Sequence, residues 1–289
     1  MVIDPMNKRH AENMLIKIRE VTQAPIKYLF YSHNHYDHAK GGQVFKDEGA
    51  EIISHIGAYE YIKANPSADL VLPDKTWSGD RTGYTLGGTT LELYYVGVSH
   101  GNGMTAFVIP REKVTCKLEE ETIPGLSGLL SLKLYGQTRL VEVEVDDSVI
   151  RFYVSDSDIV KCFKMGYIAD LVTPNQVNFF FMPDFNIPGL IASHEFYNTL
   201  DVDRIVFSHS AYEDVLAPGS QDDIKLFTQY LKDIQAAVRE KLAEPGANPF
   251  AVAATIDLPK YKNLANYDQW FGLNVQVQQF SNHFILHKK

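Results

Sequence analysis

An α/β fold is the prediction for this chain, and three observations lead to it. Stretches with apolar residues at helical spacing alternate with short apolar runs of strand length. A cluster of histidines and an aspartate, Ser32-His33-Asn34-His35-Tyr36-Asp37-His38, follows directly on one such run, Ile26 to Tyr31. The length of 289 residues, 45% of them hydrophobic, suits one large domain of this class or two small ones.

The elements follow in order. Met6 to Val21 reads as an amphipathic helix with Met14, Leu15, Ile18 and Val21 on one face. Pro25 marks the break before the strand Ile26–Tyr31, and the histidine cluster comes next. A helix is expected near Gly42–Glu48, a strand over Glu51–Ser54 and a helix over Ala58–Ala64. Asn65–Arg81, rich in Pro, Asp and Gly, reads as a loop. Leu91–Val96 is an apolar strand leading to Ser99-His100-Gly101-Asn102-Gly103, and Thr105–Ile109 is a strand closed by Pro110. Further on, Pro188–Leu200 reads as a helix and Arg204–Phe207 as a strand that delivers Ser208-His209-Ser210. Ser220 is a good N-cap with Asp222 and Asp223 in the first turn. The helix it starts carries Ile224, Phe227, Leu231, Ile234, Val238 and Leu242 at steps of three and four and ends near Pro245-Gly246. Tyr261, Tyr267, Trp270 and Phe271 in the tail read as core or docking residues.

The cluster at 33–38 carries the chemistry. Neutral imidazole and carboxylate suit zinc and similar borderline metals. Residues two apart on an extended chain point the same way, so His33 and His35 can grip one ion. Asp37 and His38 follow a turn of the chain and can reach a second ion beside it.

His33-x-His35-x-Asp37-His38, followed by Gly41-Gly42, resembles the metal motif of the metallo-β-lactamase-fold hydrolases. The resemblance runs from about Val2 to about Gly272 with one large interruption. It implies an αββα sandwich with a one- or two-metal site at one edge of the paired sheets. It also implies His100 as third ligand of the first metal and His209 as a ligand of the second. His10, His55, His194, His283 and His287 lack that context. The bridging carboxylate is expected where a later strand ends, and Tyr167-Ile168-Ala169-Asp170-Leu171-Val172 has that form. Substrate stays open, because one fold hosts many chemistries.

Asp170 lies 70 residues beyond His100. Removing the 52 residues Thr115–Gly166 leaves 18 and lets Lys113-Val114 run into Tyr167-Ile168 as one strand. Thr115–Gly166 is therefore expected to be an insertion in a single domain spanning 1–289. Asp156 and Asp158 are the competing carboxylates. Within the insertion, Leu130–Tyr135, Leu140–Val145 and Val149–Val154 read as a three-stranded meander. Cys116 and Cys162, near its two ends, are expected as free thiols, with a disulfide staple as the alternative. The meander can be an addition to a complete fold, or it can stand in for the N-terminal hairpin that the family usually has before the segment matching Val2-Ile3-Asp4-Pro5. A further reading gives the segment no evolved role.

The formal charge of −9 disfavours a nucleic-acid partner. No apolar stretch is long enough to span a bilayer, no secretory signal precedes the first helix, and two cysteines make no disulfide framework. A cytoplasmic enzyme acting on a small molecule is the expectation; a longer native N-terminus would change the compartment. The resemblance implies two Zn²⁺ ions, other divalent transition metals being alternatives. His33, His35 and His100 would hold the first, Asp37, His38 and His209 the second, and Asp170 would bridge them. It implies hydrolysis of an ester, lactone or related carbonyl by a metal-bound hydroxide, with Asp37 acting on the nucleophile's proton. The alternatives are a glyoxalase II-like thioesterase, for which Lys260 and Lys262 are the nearest basic patch, a phosphodiesterase, and a metal-binding member without catalysis.

Overall fold

The computed structural model describes residues 1–110, 131–135, 138–145, 148–154, 164–177, 186–209, 219–269 and 272–286. Two sheets form its centre. The first is parallel and runs β1 (Val2–Ile3), β2 (Tyr28–Phe30), β3 (Glu51–His55), β4 (Lys75–Trp77) across its width. Its crossovers carry α1 (Lys8–Val21), α2 (Tyr36–Ala39), α3 (Gly42–Asp47) and α4 (Ile56–Ala64). The second sheet is mixed. It contains β5 (Arg81–Leu86), β6 (Thr89–Tyr95), β7 (Thr105–Ile109), β11 (Met165–Ile168) and β12 (Arg204–Phe207), in the order β12-β11-β7-β6-β5. The helices α5 (Ile187–Tyr197), α6 (Gln221–Ala243) and α7 (Leu273–Leu286) pack on its outer face.

Three apolar clusters separate these layers. Phe30, Ile53 and Trp77 of the first sheet meet Leu91, Leu93 and Phe107 of the second. Ala11, Phe45 and Ile62 cover the other face of the first sheet through Leu29 and Ile52. Phe227, Leu231, Ile234 and Val238 of α6 join Val277 and Phe280 of α7 over Val108, Ile168 and Ile205. The result is the αββα sandwich, because each sheet has two apolar faces to bury.

The helix expected from Met6 begins at Lys8, where the Asn7 side chain accepts the His10 N–H at 3.0 Å. Met14, Leu15 and Ile18 pack on the core, but Val21, the last residue of α1, is 86% exposed. Ser220 caps α6 in a full capping box with Asp223. Tyr261 and Tyr267 are buried, as expected; Trp270 and Phe271 lie outside the described residues. One expectation fails outright: the loop Asn65–Arg81 contains β4, whose three residues complete the first sheet. The strand β5 and the helix α7 were not anticipated either.

The meander exists as β8 (Ser131–Tyr135), β9 (Thr138–Val145) and β10 (Ser148–Val154), paired antiparallel in sequence order. Among the described residues no ladder joins it to β1 or to either sheet, so a stand-in role for N-terminal strands gains no support. The expected boundary at Gly166 needs correction. Met165 and Gly166 already lie in β11, opposite Ile109 and Val108 of β7. The long segment thus connects two adjacent strands instead of splitting one. Cys116, Cys162, Asp156 and Asp158 lie outside the described residues. No helix of the described chain is long and apolar enough to cross a membrane.

Candidate metal centre

The seven residues expected at the site come from four places in the chain. Beyond β2 the backbone stays extended through His35, which occupies the N-cap position of α2 with φ −70° and ψ 144°. The single turn of α2 then swings Asp37 and His38 round. His100 sits in the loop between β6 and β7. Asn34 ties that loop to the histidine cluster, its Oδ1 accepting the Asn102 N–H at 2.5 Å. A Cβ on Gly101 would lie 2.6 Å from Asn34 Oδ1 and 3.0 Å from the His33 ring, so only glycine lets the loop approach this closely. Asp170 and His209 lie just beyond β11 and β12. These strands are parallel neighbours, so both residues emerge at one edge of the sheet.

There the seven gather into two groups that share one member. His33, His35, His100 and Asp170 each offer a ligand atom within 4.8 Å of the others, and so do Asp37, His38, Asp170 and His209. In the first group the His33 and His35 rings are 4.5 Å apart and the His35 and His100 rings 4.7 Å. Asp170 Oδ2 lies 3.0 Å from His38 Nε2, 3.2 Å from His100 Nε2 and 3.7 Å from His33 Nε2. Its Oδ1 lies 3.2 Å from His209 Nε2. The first group is buried throughout, whereas the side chains of Asp37 and His209 in the second are 49% and 42% exposed. Access to the centre is therefore from the Asp37–His209 side.

Burial, with His38 nearby, pushes the His33 imidazole well below its usual pKa; burial also lowers His100. Both are neutral imidazoles at pH 7, the form that ligates metals. Burial also opposes charge on His38, but the Asp4 and Asp170 carboxylates outweigh it and raise that group well above the usual range. Hydrogen bonds to Asp170 and Asp37 push His209 up to about 9. Burial alone would raise Asp170, yet His38, His100 and His209 hold it far below the usual carboxylate range. Asp37 is lowered too, because contacts with His209 and His38 overcome its desolvation. The pocket thus concentrates anionic oxygens and imidazole nitrogens around points that favour positive charge.

Four supporting residues escaped the sequence reading. Asp4, buried with φ 49°, accepts the Ser32 N–H at 2.8 Å, the Ser32 hydroxyl at 2.6 Å and the Tyr167 hydroxyl at 2.7 Å, and its Oδ2 lies 2.9 Å from His38 Nδ1. Ser32 Oγ is also 2.8 Å from His33 Nδ1. One carboxylate therefore steadies a histidine in each group. Ser208 does the same for Asp170: its Oγ accepts the Asp170 N–H at 2.9 Å and its hydroxyl donates to Asp170 Oδ1. A buried Asp can be suspected from Val2-Ile3-Asp4-Pro5, but no spacing rule reveals a partner 34 positions away.

The unassigned histidines stay outside the centre. His55 caps α4 through Nδ1, which accepts the Gly57 N–H at 3.1 Å, and its ring stacks 3.8 Å from that of Tyr95. His194 is buried in α5 with Nδ1 bonded to the Leu190 carbonyl at 2.8 Å. His10 is exposed on α1, and His283 lies in α7. His287 lies outside the described residues.

A divalent metal fits this donor set. His33 Nε2 is fully buried and has no hydrogen-bond partner among the described residues, which an imidazole tolerates when that nitrogen faces a cation. The opposite ring nitrogens of His33 and His38 are braced by Ser32 and Asp4, the outer support expected of metal-ligating histidines.

Residues 1–115 match the model of the metallo-beta-lactamase superfamily. The chain is 38% identical over 90 residues to the 2,4-dinitroanisole O-demethylase subunit alpha of Nocardioides sp. (strain JS1661), a stretch covering 31% of this chain and 27% of that relative. Among solved structures, a metallo-beta-lactamase from Pontibacter korlensis aligns at a TM-score of 0.54 with 16% identity, over 80% of this chain and 82% of its own. The stereoselective inverting sec-alkylsulfatase Pisa1 from Pseudomonas sp. aligns at 0.62 with 14% identity, over 98% of this chain and 45% of its own. Residues 1–115 thus match the metallo-beta-lactamase superfamily by sequence, and the chain shares the metallo-beta-lactamase fold.

Proposed function

We propose that the chain is a binuclear metal-dependent hydrolase of esters, lactones or related carbonyl compounds. The observation that carries this reading is the sharing of Asp170 between two groups of four potential ligands. Zinc, two ions per chain, is the metal proposed, since imidazole and carboxylate suit it. When bound, such ions supply Lewis acidity and lower the pKa of a coordinated water from 15.7 to about 7. His33, His35 and His100 would hold one ion in the closed part of the site. Asp37, His38 and His209 would hold the other at its open side, and Asp170 would reach both. Asp37 is held ionised and is half exposed, so it can take the proton of the attacking water where substrate enters.

A small neutral or weakly charged substrate fits the net charge of −9 better than a nucleic acid does. The thioesterase alternative loses its basic patch, because Lys260 pairs with Asp233 and Lys262 with Asp257 at 2.8 Å. A second reading, cleavage of an activated aryl methyl ether, is favoured by the 38% identity to the dinitroanisole demethylase subunit. The test is a panel of aryl ester, lactone, β-lactam, thioester, phosphodiester and 2,4-dinitroanisole, run on zinc-supplemented protein with His35→Ala as the blank. Turnover of ester and lactone that vanishes in the blank is expected. Turnover of dinitroanisole alone would replace the first reading with the second. Full metal content with no turnover would favour a binding role.

A further inference from the structure

We infer that Ser208 is the positioning residue that sets Asp170 for service to both metal groups; the inference rests on the two-metal reading above. Asp170 is not held by its own secondary structure. It lies beyond the end of β11 with φ 47°, a left-handed conformation that is strained for a non-glycine residue. The chain folds back sharply there, with the Leu171 N–H 2.5 Å from the Ala169 carbonyl. Such a conformation persists only when its surroundings fix it.

Ser208 supplies that fixation from the neighbouring parallel strand. Its hydroxyl oxygen accepts the Asp170 backbone N–H, and its proton goes to Asp170 Oδ1. One hydroxyl thus pins both the backbone and the carboxylate plane of a single residue. With Oδ1 held toward His209, Oδ2 is left facing His38, His100 and His33. Releasing the clamp frees the carboxylate to rotate. Three buried histidines still define the first group, whereas the second keeps one buried histidine, His38, and two half-exposed side chains, Asp37 and His209. The second group therefore suffers most.

The pair Ser208→Thr and Ser208→Val isolates the hydroxyl at nearly constant shape, and Ser208 is only partly buried, so a methyl can be admitted. Cobalt(II) titration followed by absorption spectroscopy, with competing chelator, reads the two affinities separately and needs no turnover. Wild type and Ser208→Thr are expected to bind two equivalents with similar affinities. Ser208→Val should bind the first within about threefold of wild type and the second about 10- to 100-fold more weakly, the usual effect of removing a support behind a metal ligand. Wild-type affinities for both equivalents in the Val variant would overturn the role of Ser208 while leaving the two-metal reading intact. Equal weakening of both equivalents, or loss of the second in Thr as well as Val, would show a general packing role and also overturn it. A single equivalent in wild type would overturn the two-metal reading and this inference with it.

Discussion

Replacing Asp4 with Asn should damage both stability and metal binding, and the size of each effect follows from its contacts. Among the described residues, Oδ2 of Asp4 meets three donors, the Ser32 and Tyr167 hydroxyls and His38 Nδ1, while Oδ1 accepts only the Ser32 N–H. The least damaging Asn orientation places its carbonyl oxygen in the Oδ2 position. Three bonds then lose their charge assistance, about 1 kcal/mol each, and the Ser32 N–H faces an NH₂ group, which costs about 1–3 kcal/mol more. The loss is about 4–6 kcal/mol against a total that for most domains is roughly 5–15. The neutral amide also no longer compels His38 to keep its proton on Nδ1. A proton on Nε2 instead blocks the atom that faces Asp170, so metal affinity at the second group should fall about 10- to 100-fold. Urea unfolding in the presence of chelator measures the first effect and competitive zinc titration the second. An Asn variant within about 1 kcal/mol of wild type, with unchanged zinc affinity, would refute the assignment of Asp4 as the hub.

Three further outcomes are expected. Asp170→Ala should lower zinc content and hydrolysis together, while Asp156→Ala and Asp158→Ala leave both near wild type; the reverse pattern would reassign the shared carboxylate. His194 is pushed down to about 4 by burial, so the folded state binds fewer protons than the unfolded state between about pH 6.5 and 4. That stability is present above pH 6.5 and lost as pH falls, about 2 kcal/mol of it by pH 5. His194→Leu should flatten the pH dependence of unfolding by that amount, and an unchanged slope would contradict the burial argument. Finally, Ile109 and Met165 are ladder partners, so an Asn-Gly turn in place of residues 110–164 can close the β7–β11 hairpin. Loop shortening gains about 0.6 kcal/mol per halving, and a soluble, zinc-binding product is expected; an insoluble one would mean that the segment completes the fold.

What the sequence disclosed depended on how local each signal was. His33, His35, Asp37 and His38 fall within six positions, and the extended backbone followed by one helical turn puts them at one place without help from the rest of the chain. His100 and His209 needed strand ends to give them meaning, and β6 and β12 lie close to where their apolar runs predicted them. Asp170 was reachable only by subtracting a long segment, and the strand boundary slipped because Met165 and Gly166 read as weakly apolar in isolation while pairing with β7 fixes them in β11. The strand β4 was hidden for a related reason: three residues among Pro, Asp and Gly carry no periodicity, and only its ladder with β3 makes it a strand. Val21 matched the helical face of α1 by spacing, yet it falls at the last turn, beyond the sheet that buries Met14, Leu15 and Ile18. Asp4 and Ser208 act through partners 34 and 38 positions away, a distance over which no local pattern operates.

The origin of the ligands in two different sheets has a mechanical consequence. His33, His35, Asp37 and His38 hang from the loop after β2, whereas His100, Asp170 and His209 hang from β6, β11 and β12. An ion gripped from both sides would be a clasp across the seam between the sheets, at the rim of an interior that holds aromatic contacts such as Phe30 with Phe107. Because the unfolded chain would scatter these side chains, metal occupancy would tighten the whole sandwich by mass action, by about 2.7 kcal/mol when free metal is a hundredfold above its dissociation constant. Metal scarcity would then act on the protein's lifetime as well as on its chemistry: starved chains would gape along this rim first and expose the inter-sheet aromatics to proteases.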